Sequence, residues 1–433
     1  MSENLEQSDL RVGYKTVQLG PREIPIPDEW GVFPFHEAIE LNPKYEKPDN
    51  GPFDYLPMDA VDEEMQTIEY WTQREKGDCT TTWFKNGDTV YAKITPCTEN
   101  GKIAFVNGMS TELGSGSTEF FVFHPCEGVT DDHFVFYFSN LPAFRSVTIS
   151  LMEGSTGRQR VPSDVFKASL NIPIPPLPEQ RRIAEILSTV DELIQQTDAI
   201  IEETERLKRG LMQDLLTGGI GHESYKTVQI GPKQYTIPEK WKVTCLDNVG
   251  NVITGRTPPT DDARNYEGNI PFITPADLGR HKYVKNTNKS LTTKGLKETR
   301  EVKSGAVTVV CIGSTIGKIG LAHTLSATNQ QINSICPNEK HSSEYLYYAI
   351  LLFTNILISR AGVAVIPIVN KADFSRLPII IPPLVEQKYI AQILSTVDRD
   401  LATKRKSKKF LASLKRGLMQ DLLTGKVRVP VGA

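Results

Sequence analysis

The residues best suited to chemistry in this chain are poorly arranged for catalysis. Gly313-Ser314-Thr315-Ile316-Gly317-Lys318-Ile319 comes nearest to a phosphate-cradling loop. It is one residue short and carries Ile where Ser or Thr would hold magnesium, so it reads as a turn between strands. The six cysteines, Cys79, Cys97, Cys126, Cys245, Cys311 and Cys336, include no C-x-x-C pair, and no His is placed to complete a zinc set. Free thiols in a reducing compartment are expected. Asp131-Asp132 and Asp62, Glu63 and Glu64 are paired acids without basic partners nearby and read as surface charge. No G-x-G-x-x-G, G-x-S-x-G or H-E-x-x-H occurs, nor the Asn/Asp-Pro-Pro-aromatic signature of amino-methyltransferases, nor a P-D…E-x-K nuclease cluster. No catalytic residue, no metal and no cofactor is therefore expected in this chain. What remains are cations and amides on flexible loops. Gly154-Ser-Thr-Gly-Arg-Gln-Arg160 is the clearest, because Arg and Gln are the side chains that read guanine and adenine edges with two hydrogen bonds.

Such loops need a frame, and the frame is repeated. Tyr14–Trp30 and Tyr225–Trp241 match at 10 of 17 positions, at an offset of 211. PPLPEQRRIAEILSTVD from Pro175 and PPLVEQKYIAQILSTVD from Pro382 match at 13 of 17, and LKRGLMQDLLTG occurs identically from Leu207 and Leu414. Three pairs in one order mean two tandem halves. Between the pairs the halves are nearly unrelated, so a duplicated scaffold carries two diverged blocks. Each tail lacks Pro after its first turn, and apolar residues recur on a 3-4 spacing. The candidate interface positions are Ile183, Leu187, Val190, Ile194 and Leu211 in the first tail, and Ile390, Leu394, Val397, Leu401 and Leu418 in the second. Each tail predicts a helix of about 38 residues, roughly 57 Å long, stopped by Gly218 or Gly425. Two near-identical heptad-like seams with polar middles predict that the helices pack on one another. A pseudo-twofold axis between the halves would make them antiparallel.

The blocks read as α+β. Strand-like runs are TVYAKIT, KIAFV and FFVFHP in the first, and PFITPADL, AVTVVCIG and KIGLAH in the second. HFVFYFSNLPAF from His133 fits a strand or a helix, and Ser343–Ser359 predicts one helix. The expected fold is two globular α+β domains separated by two long antiparallel helices, a coiled coil with internal pseudo-twofold repeat. The expected boundaries are 1–29 (lead segment), 30–174 (first domain), 175–220 (first helix), 221–376 (second domain with its lead) and 377–433 (second helix and tail). Charge divides unevenly. Residues 30–170 carry 11 Lys and Arg against 21 Asp and Glu, a net −10, whereas residues 241–376 carry 16 against 10, a net +6. The second block therefore has the better footprint for a polyanion, concentrated in Arg280, Lys282, Lys285, Lys289, Lys294, Lys297, Arg300 and Lys303. The longest apolar run, Tyr345 to Ile358, is too short to span a bilayer, and the acidic, polar N-terminus does not read as a signal peptide, so a cytoplasmic location is expected.

Along the chain stand Gly-x-x-x-x-x-Ile-Pro-x-x-Trp (Gly20…Pro27…Trp30 and Gly231…Pro238…Trp241), Gly-Ser-Thr-Gly-Arg-Gln-Arg-Val from Gly154, Thr-Gly-Arg-Thr-Pro from Thr254, Ile-Pro-Phe-Ile-Thr-Pro-Ala-Asp-Leu from Ile270, Thr-Asn-Gln-Gln from Thr328, and Gly-Lys-Ile in both blocks, with Ile-Pro-x-Pro-Pro-Leu-x-Glu-Gln before the first helix and Ile-Ile-Ile-Pro-Pro-Leu-x-Glu-Gln before the second. This plan resembles the specificity subunit of type I restriction-modification systems over nearly the whole chain. The first block lacks the Ser/Thr-Gly-x-Thr-Pro motif. The resemblance implies a non-catalytic subunit that reads a bipartite target in double-stranded DNA, one half per block. It also implies two modification subunits that methylate adenine with S-adenosylmethionine, and restriction subunits that use ATP and Mg, with no membrane involved. Its motifs and the flexible loop together nominate Arg158, Gln159, Arg160 and Lys102 in the first block, and Arg256, Thr257, Lys318, Asn329 and Gln330 in the second, as DNA-facing. The alternative is a non-enzymatic helical scaffold whose domains bind ligands other than DNA.

Overall fold

The computed structural model describes residues 13–19, 22–49, 51–361 and 367–430; Gly20 of the first repeated motif lies outside them. The chain divides into two units, Met1–Asp198 with Ser407–Ala433, and Ala199–Lys406.

In the first unit the repeated lead folds as an antiparallel hairpin, Tyr14–Leu19 with Arg22–Pro27. Gly31–Pro34 then pairs with Asn171–Ile174, so the Ile/Pro-rich exit of the block closes against its beginning. Between them lie two four-stranded sheets. One runs Thr72–Glu75, Pro52–Leu56, Gly114–Gly116, Thr82–Phe84, and the other Ile39–Leu41, Phe120–Pro125, Thr89–Ala92, Ile103–Phe105. The segment that periodicity left open is helical, Asp132–Asn140 followed by Pro142–Ser150. Every residue from Phe134 to Asn140 is buried. A helix buried all round has no polar face, which is why no period marked it.

The second unit repeats the plan with different sheets. Its hairpin is Tyr225–Ile230 with Lys233–Pro238, and its closing pair is Lys242–Cys245 with Pro378–Ile381. A five-stranded sheet runs Gly250–Thr254, Ile332–Pro337, Val307–Val310, Ile319–Ala322, Tyr283–Val284. A four-stranded one runs Lys289–Leu291, Tyr266–Ile273, Ser326–Thr328, Glu301–Val302. The single helix expected over Ser343–Ser359 is two, Ser343–Leu352 and Thr354–Arg360, divided at the buried Phe353. The Gly313–Lys318 segment is a turn between strands, with Gly313 and Gly317 both at positive φ.

The tails are helices Leu177–Thr217 and Leu384–Leu422, of 41 and 39 residues. The boundary between units falls inside each. In the first unit Asp191 pairs with Lys415 (2.7 Å) and Asp198 with Lys408 (2.8 Å), so one helix ascends as the other descends. In the second, Glu205 pairs with Arg405 and Asp398 with Lys208 (2.6 Å), again antiparallel. The polar middle of the seam is thus an ion-paired stretch. Its apolar positions divide. Ile183 and Leu187 enter the first core with Met419 and Leu422; Ile390 and Leu394 enter the second with Met212 and Leu216. Leu418 and Leu211 are half-buried against those same cores. Val190, Ile194 and Leu401 are buried, and Val397 is half-buried. One face of each helix end therefore serves its own domain.

The stop of the first helix differs from expectation. Gly218 still donates to Asp214 O, and the left-handed residue is Gly219, at φ +68, where a Cβ would lie 2.6 Å from the Trp241 ring. Gly425 does turn the second helix, at φ +69.

The repeated motifs explain themselves as a clasp made twice. Trp30 and Trp241 are wholly buried and donate from Nε1 to Glu179 (3.1 Å) and Glu386 (2.9 Å), in the first turn of each long helix. The adjacent Gln180 and Gln387 accept from the N-cap amides of Asp131 and Ser342, starting the core helix of each domain. Each glutamate also meets a nitrogen-bearing side chain that follows the end of the other helix. Arg428 reaches Glu179 through two N–H groups (2.7 and 2.9 Å), and His222 reaches Glu386 (2.7 Å). About three turns further along each long helix, Tyr137 and Tyr348 donate to Asp191 and Asp398, the same aspartates that bind Lys415 and Lys208.

Candidate nucleic-acid interface

In the first unit the Gly154–Arg160 loop is closed at its base by a reciprocal backbone pair, Glu153 N to Arg160 O (2.9 Å) and Arg160 N to Glu153 O (2.8 Å). Gly154 and Gly157 take positive φ and let the chain reverse within it. The three side chains then part company. Arg158 is exposed and, among the described residues, makes no side-chain bond; Gln159 is half-exposed. Arg160 is bound to Glu119 through Nε (3.0 Å) and Nη2 (2.7 Å). Its guanidinium holds the Glu119 carboxyl below the usual range. Arg160 thus anchors the loop, with Lys93 half-buried over the Phe121 ring beside it and burial lowering its amine. Lys102 lies elsewhere, its amine donating to Met58 O at 3.0 Å. The acids read as surface charge have local work. Asp131 caps Phe134 N, and Asp62 accepts from the amides of Glu64 and Met65.

In the second unit two loops meet. Arg256 N donates to Thr328 O (2.9 Å), and the Thr257 hydroxyl donates to Gln330 Oε1 (2.7 Å), which brings Arg256, Thr257, Asn329 and Gln330 onto one edge. Gly255 permits the approach, since a Cβ there would overlap Thr328 and Asn329. Asn329 is fixed by Gln331 (2.9 Å), while Arg256 and Gln330 are exposed. The turn beginning at Gly313 lies beside Gln331, and Lys318 at its far end packs against Gly279. No bond joins Lys318 to the Arg256 edge among the described residues.

Lys318 instead lines a cleft of about 1540 Å³ within this unit, between the 277–286 segment and the two long helices. Nine Lys and Arg line it against four Asp and Glu. The run of cations noted in the sequence is therefore not one solvated face. Arg280 and Lys285 face the cleft, whereas Lys294 pairs with Asp262 (2.5 Å) and Arg300 donates to Thr254 O (2.8 Å). Lys282 is almost buried, over the Tyr348 ring at 4.6 Å and bonded to Ser395 (2.6 Å) and Glu344 (3.2 Å). Burial lowers its amine against the opposing pull of Glu344. Sequence reasoning missed the cations that the helices add, Arg209, Lys388 and Arg399. Their signal was present as charges on the outer face of the repeats, but only folding sets them opposite the domain.

The duplicated frame with diverged loop edges defines a class of two-domain recognition proteins. The family model of the type I restriction modification DNA specificity domain matches residues 27–206 and again 238–409, and the chain belongs to that family. It is 30% identical over 315 residues to the type I restriction enzyme MjaVIII specificity subunit of Methanocaldococcus jannaschii, covering 70% of this chain and 71% of that one. It is 24% identical over 408 residues to the HindI specificity subunit of Haemophilus influenzae, covering 79% and 87%. Among solved structures, the S subunit of a type I restriction-modification system from M. genitalium aligns over 91% of this chain and 96% of its own, with a TM-score of 0.56 and 15% identity. A chain from a structure of type I assembly and conformational transition aligns over 93% and 99%, at 0.57 and 20%. These likenesses are of fold. No helix among the described residues is long and apolar enough to cross a membrane.

Proposed function

We propose that this chain is the non-catalytic, DNA-reading subunit of a type I restriction-modification complex. Each sheet domain reads one half of a bipartite duplex target, and the chain directs adenine methylation or restriction by its partners. The observation that carries this is the same clasp built twice around two domains whose loop edges differ, in a chain of the specificity family. In this reading the lead segment is 1–29, the domains occupy 30–174 and 221–376, and the helical segments 175–220 and 377–433 are the spacer. Arg158 and Gln159 face DNA from the first domain, with Arg160 anchoring their loop and Lys102 on a separate part of the same domain. Arg256, Thr257, Asn329 and Gln330 face it from the second, with Lys318 beside them. Two modification subunits supply S-adenosylmethionine chemistry, and restriction subunits supply the ATP- and Mg-dependent steps, in the cytoplasm. Exposed apolar residues one heptad apart on the first helix, Leu193, Ile200 and Leu207, suit a partner helix.

Methylation-sensitive sequencing of cells carrying the chain with its modification subunits tests this. The expected result is adenine methylation at one split sequence, lost when this chain is deleted. Methylation of unchanged pattern in the deletion strain, or absent in both, refutes the reading.

A further inference from the structure

We propose that the cleft of the second unit holds the phosphodiester backbone of the duplex, making that unit an electrostatic clamp distinct from the loops that read bases. This rests on the DNA-reading assignment above and adds the surface that supplies its sequence-independent affinity.

The acids lining the cleft are already engaged. Glu205 binds Arg405, Asp398 binds Lys208, Glu344 binds Lys282, and Asp277 accepts from the amides of Thr274 and Asn288. Arg209, Arg280, Lys285 and Lys388 are exposed and have no acidic partner among the described residues. Unneutralised cations facing one cavity from two walls form a site for a polyanion. The wall is also rigidly built. The nearly buried Lys282, bonded to Glu344 and Ser395, ties the 277–286 segment to the second long helix, so Arg280 and Lys285 on either side of it are held in place. A duplex backbone suits this cleft better than an acidic protein because the cationic track continues. Lys318 lines the cleft, and its turn lies against Gln331, beside the Arg256 and Gln330 edge of the same unit. In the first unit Arg181, the counterpart of Lys388, is instead paired with Asp131.

Each phosphate contact releases counterions and contributes about 0.9 to the slope of log K against log salt. Replacing Arg209, Arg280, Lys285 and Lys388 by Gln removes four candidate contacts and touches no buried group. Between 50 and 200 mM salt the wild type should then lose about 150-fold more affinity than the variant. The assay is fluorescence anisotropy on the full chain with its modification subunits, using a duplex bearing the mapped methylation sequence and a scrambled duplex. A weaker, flatter salt response on both duplexes, with methylated sites unchanged in cells, supports the clamp. An unchanged slope in a variant that still discriminates the two duplexes overturns the clamp and leaves the DNA-reading assignment standing. Loss of the modification subunits from the variant on gel filtration, with the slope of the chain alone unchanged, assigns the cleft to a protein partner and also overturns it. A wild-type complex that does not discriminate the duplexes overturns both.

Discussion

Arg428→Ala is the sharpest test of the clasp. Glu179 is wholly buried within the first unit, and its carboxylate is held by two N–H groups of Arg428 and one of Trp30. Removing the guanidinium leaves a buried carboxylate with one neutral donor. Breaking a buried pair by deleting one partner costs about 3–5 kcal/mol, because the remaining charge is uncompensated. Arg428 itself is about one-third exposed, so water reaches the vacated space and the lower end applies, about 3 kcal/mol. For a unit of this size each kcal/mol moves the midpoint by about 2–4 °C, giving a drop of roughly 6–12 °C. Adding Glu179→Gln removes the orphaned charge and keeps an acceptor for Trp30, so the double variant should recover about half of the loss. Differential scanning calorimetry gives the midpoints, and hydrogen exchange around Trp30 localises the effect to the first unit. Additive single and double variants, with no coupling beyond about 0.5 kcal/mol, would refute the reasoning, since independent residues behave that way.

Other outcomes follow from the same geometry. Arg158→Ala should cost about 1–3 kcal/mol of binding to the mapped target and relax one base position if Arg158 reads a base edge, measured by competition among single-base variants; equal loss on all sequences makes it a phosphate contact. Arg160→Ala should leave the thermal midpoint nearly unchanged, as expected for an exposed pair, yet alter site choice by releasing the loop; unaltered site choice would remove the loop from the site. The hydrogen bond to Asp132 raises the pKa of His133 above its ordinary 6.5 and lowers that of Asp132 below 3.8. The histidine's contribution is complete below about pH 6.5 and fades as pH rises through the folded value, while the aspartate's fades as pH falls below about 4. The stability gap between wild type and His133→Gln should therefore be widest between about pH 4 and 6.5 and narrow as pH rises through the raised histidine value, and a gap flat with pH rejects the pair. Finally, seven residues added to each long helix within the ion-paired middle preserve the seam register and lengthen each by about 10.5 Å. Mapped methylation sites should keep their half-site sequences and gain roughly 3 base pairs of spacing at about 3.4 Å each, or lose binding if the domains are rotated off the duplex. An unchanged spacer in a fully active protein rules out a ruler.

Repetition and periodicity made much of the molecule legible before folding was considered. The Trp, Glu-Gln and Lys-Arg-Gly segments recur because each makes the same bonds in each unit, and bonds made twice leave a mark twice. The long helices announced themselves through a 3-4 spacing over ten turns and through terminal Pro and Gly. By contrast, Asp132–Asn140 is buried on every side, so its sequence carried no period to read. The break at Phe353 left no Pro or Gly to mark it. Site chemistry was the least legible, because a charge is functional or structural according to what faces it. Arg158 and Arg160 are two residues apart and alike in type, yet a glutamate 41 residues away engages one and leaves the other free. Lys282 and Lys285 belong to one basic run, yet one is nearly buried among tyrosines and the other opens into a cleft. Side-chain type and spacing determined the frame, since helix and repeat are local or self-matching properties. Which cations stay available to a polyanion is a property of distant neighbours, and only the tertiary structure decided it.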